Sequence, residues 1–498
     1  MSKFPAYLIA AAFVLFAIAT VWAQDPASQT HNPPAQPTPD KPMQPDKPKE
    51  QGKSKSDEPP APPLVAGTVT NAPVTGANEP SFAIFTSRDY VVPALEFYGQ
   101  LDSNGLNTSS GSFAAIESVL AGIDIQKVSR FAQLNLGYVI GRSFSNANDV
   151  FNSTTHALNA SVLWSGGRWD GFVSNNFLYS SESSYLGGIA PFEPPNLGSF
   201  TGLGQTGPII LRNAFQPDQS IFTNFGPRLS DALVAQVNNH LSRRAFFTLV
   251  GNYNTLHFSN PGLIDSTAAG FQTGIGYQRT RQDAIALVYR FSDLSFSGLP
   301  AGVRDNVVEL AYQRRIAERL DFRIGAGPDI SFIHAPDQVT GAPSDRTRVS
   351  WTADLSLHYQ LRRMRTNFGY GHYLTNGGGV FLGSIRDGVY ASADRDLSRT
   401  WKVNGSVNYS RNENLIPLPA PSIIAAPAGA VYHSVYGGFE LHRRVGRDSD
   451  LFFGYWARYQ TANYSLCATG SGICLGRNLV GHQFNFGFLW RIKPIPIG

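Results

Sequence analysis

The stretch Trp401–Ser410, WKVNGSVNYS, changes character at almost every residue. Trp401, Val403, Val407 and Tyr409 interleave with Lys402, Asn404, Ser406, Asn408 and Ser410. Successive side chains of a β-strand point to opposite faces, so the segment reads as a strand with one apolar and one polar face. A sheet built from such strands separates two solvents, and the architecture turns on which face meets water.

The pattern recurs along the chain. In GYQRTRQDAIALVY, AYQRRIAERLDFRI and HYQLRRMRTNFGY, the residues Tyr277, Tyr312 and Tyr359 each precede a glutamine and then a turn rich in arginine. The segments that follow such turns open on an aromatic: Phe131, Trp169, Phe246, Phe322, Phe368, Trp401 and Phe452. Counting alternating segments from 92–103 to 480–491, with 349–361 and 386–397 among them, predicts about eighteen strands, with sixteen as the alternative. Short turns such as QKVSRF, SRRAF, RTRQDA and VGRDSDL fall on one side, and longer connections containing Gly, Asn and Pro fall on the other. Beyond Pro80 no apolar run is long enough for a membrane-spanning helix.

Parity assigns the faces. One collects Leu134, Leu136 and Tyr138, Ile285, Leu287 and Tyr289, and Phe484, Phe486, Phe488 and Trp490; the other collects Gln133 and Asn135, Arg290 and Ser292, and Gln483 and Asn485. A soluble barrel of this strand number would enclose more volume than the apolar side chains fill, so the polar face is predicted to line the lumen. The apolar face then needs a lipid solvent, in which a closed barrel satisfies every backbone group of a sheet. The expectation is an all-β, transmembrane, antiparallel up-and-down barrel.

On this pattern, and on the aromatic-rich final strand FNFGFLWRI, the chain resembles bacterial outer-membrane β-barrel proteins of the porin-like kind over about Tyr90 to Ile492. Many members of that group end on the last aromatic, whereas here KPIPIG follows. The resemblance implies an outer-membrane location in a Gram-negative envelope, with assembly machinery and membrane lipid as partners. It also implies passage of small hydrophilic solutes. Two alternatives stand beside that reading: a saccharide or polysaccharide conduit, and a structural or adhesive barrel with a closed lumen.

The N-terminus carries Lys3, the apolar run Leu8–Val21 and a small residue, Ala23, before Gln24, which predicts a signal peptide over 1–23. Residues 24–80 are rich in Pro, Lys, Asp and Ser and hold little to bury, so a disordered periplasmic linker is expected there, able to reach the cell wall. The barrel is assigned to 81–498, with both ends on the short-turn, periplasmic side. Only 15% of the 498 residues are charged, against roughly 25% in an average globular protein. The net charge is +4 with basic residues scattered singly, which speaks against nucleic acid as a partner.

Candidate functional residues follow from parity. Arg290, Arg323, Lys402 and Arg458 share the lumenal face with Glu96, Asp124, Glu309, Asp354 and Glu440, a mixture in which neither sign dominates. Tyr98, Tyr390, Tyr436 and Trp456 lie on the same face and could stack against sugars or pack under loops. The longest connection, Ser180–Arg228, carries Phe192, Ile209, Ile210 and Phe222 and is expected to fold inward, setting Glu193, Arg212 and Asp218 at a constriction. Cys467 and Cys474 are expected to form a disulfide, and no metal or cofactor site is expected. GLGQTGP lacks the lysine and helix of a phosphate-binding loop. His257 and Ser259 in HFSN form the sharpest enzymatic pair, loosely like the His-x-Ser of outer-membrane phospholipases, yet they read more simply as rim residues, and no enzyme activity is expected.

Overall fold

The computed structural model describes residues 89–496 except 105–112, 130, 147–151, 153, 182–226, 260–262, 281, 317–318, 337–341, 376–378, 380, 417–428, 464–465, 468–473 and 476–477. The chain divides into two units, 1–64 and 65–498. The predicted signal peptide and linker, and the loop carrying Glu193, Arg212 and Asp218, lie outside the described residues.

The first strands are β1 (Tyr90–Asp102), β2 (Ala114–Val128), β3 (Ala132–Ser145), β4 (Thr154–Gly166), β5 (Trp169–Ser181) and β6 (Pro227–His240). Next come β7 (Ala245–Phe258), β8 (Ser266–Gln278), β9 (Asp283–Phe296), β10 (Gly302–Ile316), β11 (Leu320–Pro336) and β12 (Pro343–Gln360). They are followed by β13 (Met364–Thr375), β14 (Leu382–Asp396), β15 (Trp401–Ile416), β16 (Val431–Val445) and β17 (Ser449–Ala462). A two-residue ladder, β18 (Leu466–Cys467) with β19 (Cys474–Leu475), precedes β20 (Asn478–Arg491) and the short β21 (Ile495–Pro496).

Each long strand pairs antiparallel with its sequence neighbour, β17 pairs with β20, and β20 pairs with β1, from Ala94↔Arg491 to Asp102↔Gln483. The described residues therefore form a closed ring of eighteen strands, a transmembrane barrel without a sheet edge at its seam. After a one-residue slip at Ile492–Pro494, the tail that follows the last aromatic continues the same ladder, with Val91↔Ile495 and Tyr90↔Pro496. Following the register once round the ring advances the chain by about 22 residues, which corresponds to strands tilted about 40° and a backbone diameter of roughly 35 Å.

The faces are those expected from parity. In β20 the exposed residues include the large apolar Val480, Phe484, Phe486 and Trp490, with Asn478 and His482 exposed at the long-loop end, while Gln483 and Asn485 are buried. Leu310 is 60% exposed and its neighbour Glu309 only 5%. In WKVNGSVNYS, Lys402, Asn404, Asn408 and Ser410 are buried on the inner face. Apolar outside and polar inside is the reverse of a soluble barrel, and it suits a lipid surround.

Four short turns share one device. Ser129, Ser242, Thr280 and Ser398 accept backbone N–H bonds from the residue three positions on, at 3.0–3.1 Å. Each is followed by an arginine in the sequence, so a hydroxyl that folds the turn and a cation recur together. Of the aromatics that follow short turns, Phe131 and Trp169 are exposed outward, whereas Phe246 and Phe452 turn inward. Each inward ring covers a glycine directly opposite it, Gly276 and Gly487, where a Cβ would come within 2.2 Å of the ring.

Candidate permeation pathway

The inner wall is dominated by paired polar groups. Arg323 is held between Glu309, at 3.6 Å, and Asp354, at 3.4 Å, with all three side chains nearly buried. Gly325 makes room for them: a Cβ there would lie 2.1 Å from Glu309 Oε1 and 2.7 Å from Asp354 Oδ1. Arg290 lies on the adjoining inner face of β9 under the field of Asp305 and Glu309, and Ser331 Oγ sits 3.0 Å from a carboxylate oxygen of both Asp305 and Asp329. Across the barrel, Arg458 Nη2 donates to both Asp102 oxygens, at 3.0 and 2.8 Å, and to the Asn104 carbonyl at 2.6 Å. Glu440 is fully buried with His442 at 3.3 Å, and Lys402 lies opposite Asp396. Asp124 is exposed over Gly137. Glu96 is buried on β1, and the charged residues picked out by parity, Asp124 apart, are buried or nearly so, mostly in local pairs.

Sequence reading missed a second inner network. Asp170 Oδ2 accepts from Asn238 at 2.8 Å, Asp170 Oδ1 pairs with His240, and Thr248 donates to Asn238 Oδ1 at 2.6 Å. No single residue announces it; only the register, which brings β5, β6 and β7 side by side, assembles it. Several inner-face atoms, including Gln236 Oε1, Asn252 Nδ2, Ser292 Oγ, Asn408 Nδ2 and Gln483 Oε1, have no hydrogen-bond partner among the described residues. Polar atoms left so in a wall need water.

The inner aromatics lie flat against the wall. Tyr390 covers Gly369, Trp456 covers Gly438, and the Tyr436 and Trp456 rings stack at 5.0 Å with planes 7° apart. Tyr98 stacks on Phe452 at 6.1 Å and donates to Gln100 at 2.9 Å. All four are buried, so their ring faces serve packing rather than stacking with a passing sugar.

A roof closes part of the long-loop end. The tip of the β13–β14 hairpin leaves its neighbours: the Gly379 carbonyl accepts from Ile264 N–H at 2.9 Å, and a Cβ on Gly379 would lie 2.4 Å from the Phe258 ring. Phe381 meets Tyr432 of β16 at 5.2 Å. Four strands, β9 to β12, lie between β8 and β13, a chord of about 25 Å in a barrel of this size, so the hairpin reaches Ile264 only by folding across the lumen. Both faces of 371–375 and of 381–386 are accordingly buried, which is why strand alternation fades there and the predicted strand started late, at 386. The roof is apolar: Ile264, Leu294, Val303, Ile333, Leu374, Leu382, Ile385 and Ile416 form one buried cluster. Gly379 and Gly383, at φ +84° and +72°, supply the left-handed turns that the tip requires. The sequence signal was Val380, Phe381 and Leu382 beside three glycines, apolar groups in a loop that need a surface to cover.

Among the described residues no group of His, Cys, Asp and Glu could hold a metal ion. His257 is held by Asp265 at 2.5 Å, and Asp265 also accepts from Phe258 N–H at 2.8 Å; no hydrogen bond joins His257 to Ser259. The pair anchors a turn. The backbones of Cys467 and Cys474 face each other in register.

No protein-family model matches the chain, and no curated protein matches it. Among solved structures it is similar to OpdQ of Pseudomonas aeruginosa, at 9% identity and a TM-score of 0.39, covering 82% of this chain and 99% of that one. It is also similar to OccK2 (OpdF) of the same organism, in complex with glucuronate, at 9% identity and a TM-score of 0.40, covering 81% and 98%.

Proposed function

We propose that this protein is an outer-membrane channel for small hydrophilic solutes, with the short-turn end in the periplasm. The observation that carries the reading is the inversion of the wall: an apolar band outside a closed ring, and a polar, charge-bearing face inside it. A ring of eighteen strands is wide enough for an aqueous path beside its side chains. Mixed inner charge, mostly self-paired, favours general permeation over strong selection by sign. The signal peptide, the linker toward the cell wall and insertion by assembly machinery belong to the same reading. The saccharide alternative loses support because Tyr98, Tyr390, Tyr436 and Trp456 are covered.

The test is planar-bilayer recording of the purified protein in a salt gradient. Stepwise conductance with a weak reversal potential is expected. A correctly folded protein that never conducts would leave the closed, structural barrel as the better reading.

A further inference from the structure

Between β12 and β13 the wall comes apart. Their pairing runs from Gln360↔Arg365 only to Ala353↔His372. Above that point, among the described residues, β12 continues to Pro343 paired with β11 alone, and β13 continues to Thr375 paired with β14 alone as its hairpin turns into the lumen. With strands tilted about 40°, the eight steps from Met364 to His372 climb about 20 Å, inside an apolar band of about 25 Å. An open sheet edge is not tolerated against hydrocarbon unless it lines a cavity.

The parting point is latched on both faces. On the outer face Trp351 stacks on His372 at 4.0 Å with planes 9° apart, and on the inner face Thr352 Oγ1 donates to the His372 carbonyl at 3.0 Å. His372 Nδ1 lies 2.6 Å from Asp387, which accepts from Arg411 at 3.2 Å. Behind the latch lies the apolar roof, with members on both flanks: Ile333 and Ala335 on β11, and Leu374 just past the last pair. On the inward parity of the open edge stand Arg346 and Arg348, opposite Ile333 and Ser331, and neither meets a carboxylate among the described residues.

We propose that the β12–β13 gap is a lateral portal, through which a single-chain amphiphile with an anionic head group passes between the outer leaflet and the lumen. Its tail follows the apolar cluster and its head engages Arg346 and Arg348. The proposal rests on the channel reading, because it needs the barrel inserted in a membrane.

Two measurements on the full-length protein in outer-membrane vesicles test it. The variant L355C/Y370C sits on a register pair and should oxidise fully, whereas S350C/T375C, opposed only if the wall were continuous, should stay reduced. Full oxidation of S350C/T375C would put the hairpin in the wall and overturn the portal. Uptake of dansyl-labelled undecanoate should fall about tenfold in R346E/R348E, as expected for losing charge-assisted contacts to the head group, and should rise in W351A, with potassium chloride conductance kept. Uptake indifferent to these substitutions at normal conductance overturns the portal and leaves the channel standing. Loss of conductance in the unaltered protein would overturn the channel reading itself.

Discussion

Arg323 shows how the inner wall is held residue by residue. Two carboxylates approach it only because residue 325 is glycine, and removing the cation leaves Glu309 and Asp354 facing each other while nearly buried. Arg323→Met should therefore destabilise the barrel by about 3–5 kcal/mol in urea unfolding, the cost of leaving buried charge uncompensated. Adding Glu309→Gln should restore part of the loss; equal stability of the single variant and the parent would show that the triad is held by something else. Cys467 and Cys474 present a second residue-scale case. Opposed residues of an antiparallel ladder have Cα atoms about 4.5–5.5 Å apart, within the span a disulfide bridges. Mass spectrometry of an unreduced digest should recover them joined, and reduction should loosen the loop while leaving the barrel intact.

At the scale of elements, two hairpin ends behave differently. Four of the short turns are fixed locally by a hydroxyl bonding to the third residue on, and the hairpin repeat was legible in the sequence because such turns require nothing distant. The β13–β14 hairpin is fixed by what it reaches, Ile264, Phe258 and Tyr432, contributed by β16 and the β7–β8 region. Period-2 alternation locates a strand while it stays in a wall with two solvents; it fails where a strand dives into the lumen and buries both faces, as at 371–375. Sequence reading therefore placed the strands of the ring; the constriction it expected at Glu193, Arg212 and Asp218 lies outside the described residues, and the hairpin tip around Gly379 drew no functional expectation. Deleting Asn376–Val380 together with Phe381→Ala should raise single-channel conductance roughly twofold, since a strap across the lumen is removed. Unchanged conductance in a folded variant would mean that the roof does not bound the path.

For the whole molecule, the governing fact is that one sheet faces two solvents, so the same substitution has opposite meanings on neighbouring residues. Stability here comes from a closed ladder, and specificity of register comes from the cost of turning a polar side chain into lipid. That is why weak alternation, repeated through WKVNGSVNYS and its many counterparts, determines the architecture although no motif does. Leu310, exposed on the outer face about 15 Å above its short turn, lies near the middle of the apolar band. Ser174, at a comparable height on the inner face of β5, lies opposite Ser161. Leu310→Arg should cost about 2–4 kcal/mol and lower the yield of inserted barrel, whereas Ser174→Arg should fold normally and shift the reversal potential toward anions. Both are read on one preparation, by the heat-dependent gel shift of the folded barrel and by bilayer recording. If Leu310→Arg folds as readily as Ser174→Arg, the outer face does not meet hydrocarbon at that height and the membrane assignment of the wall fails with it.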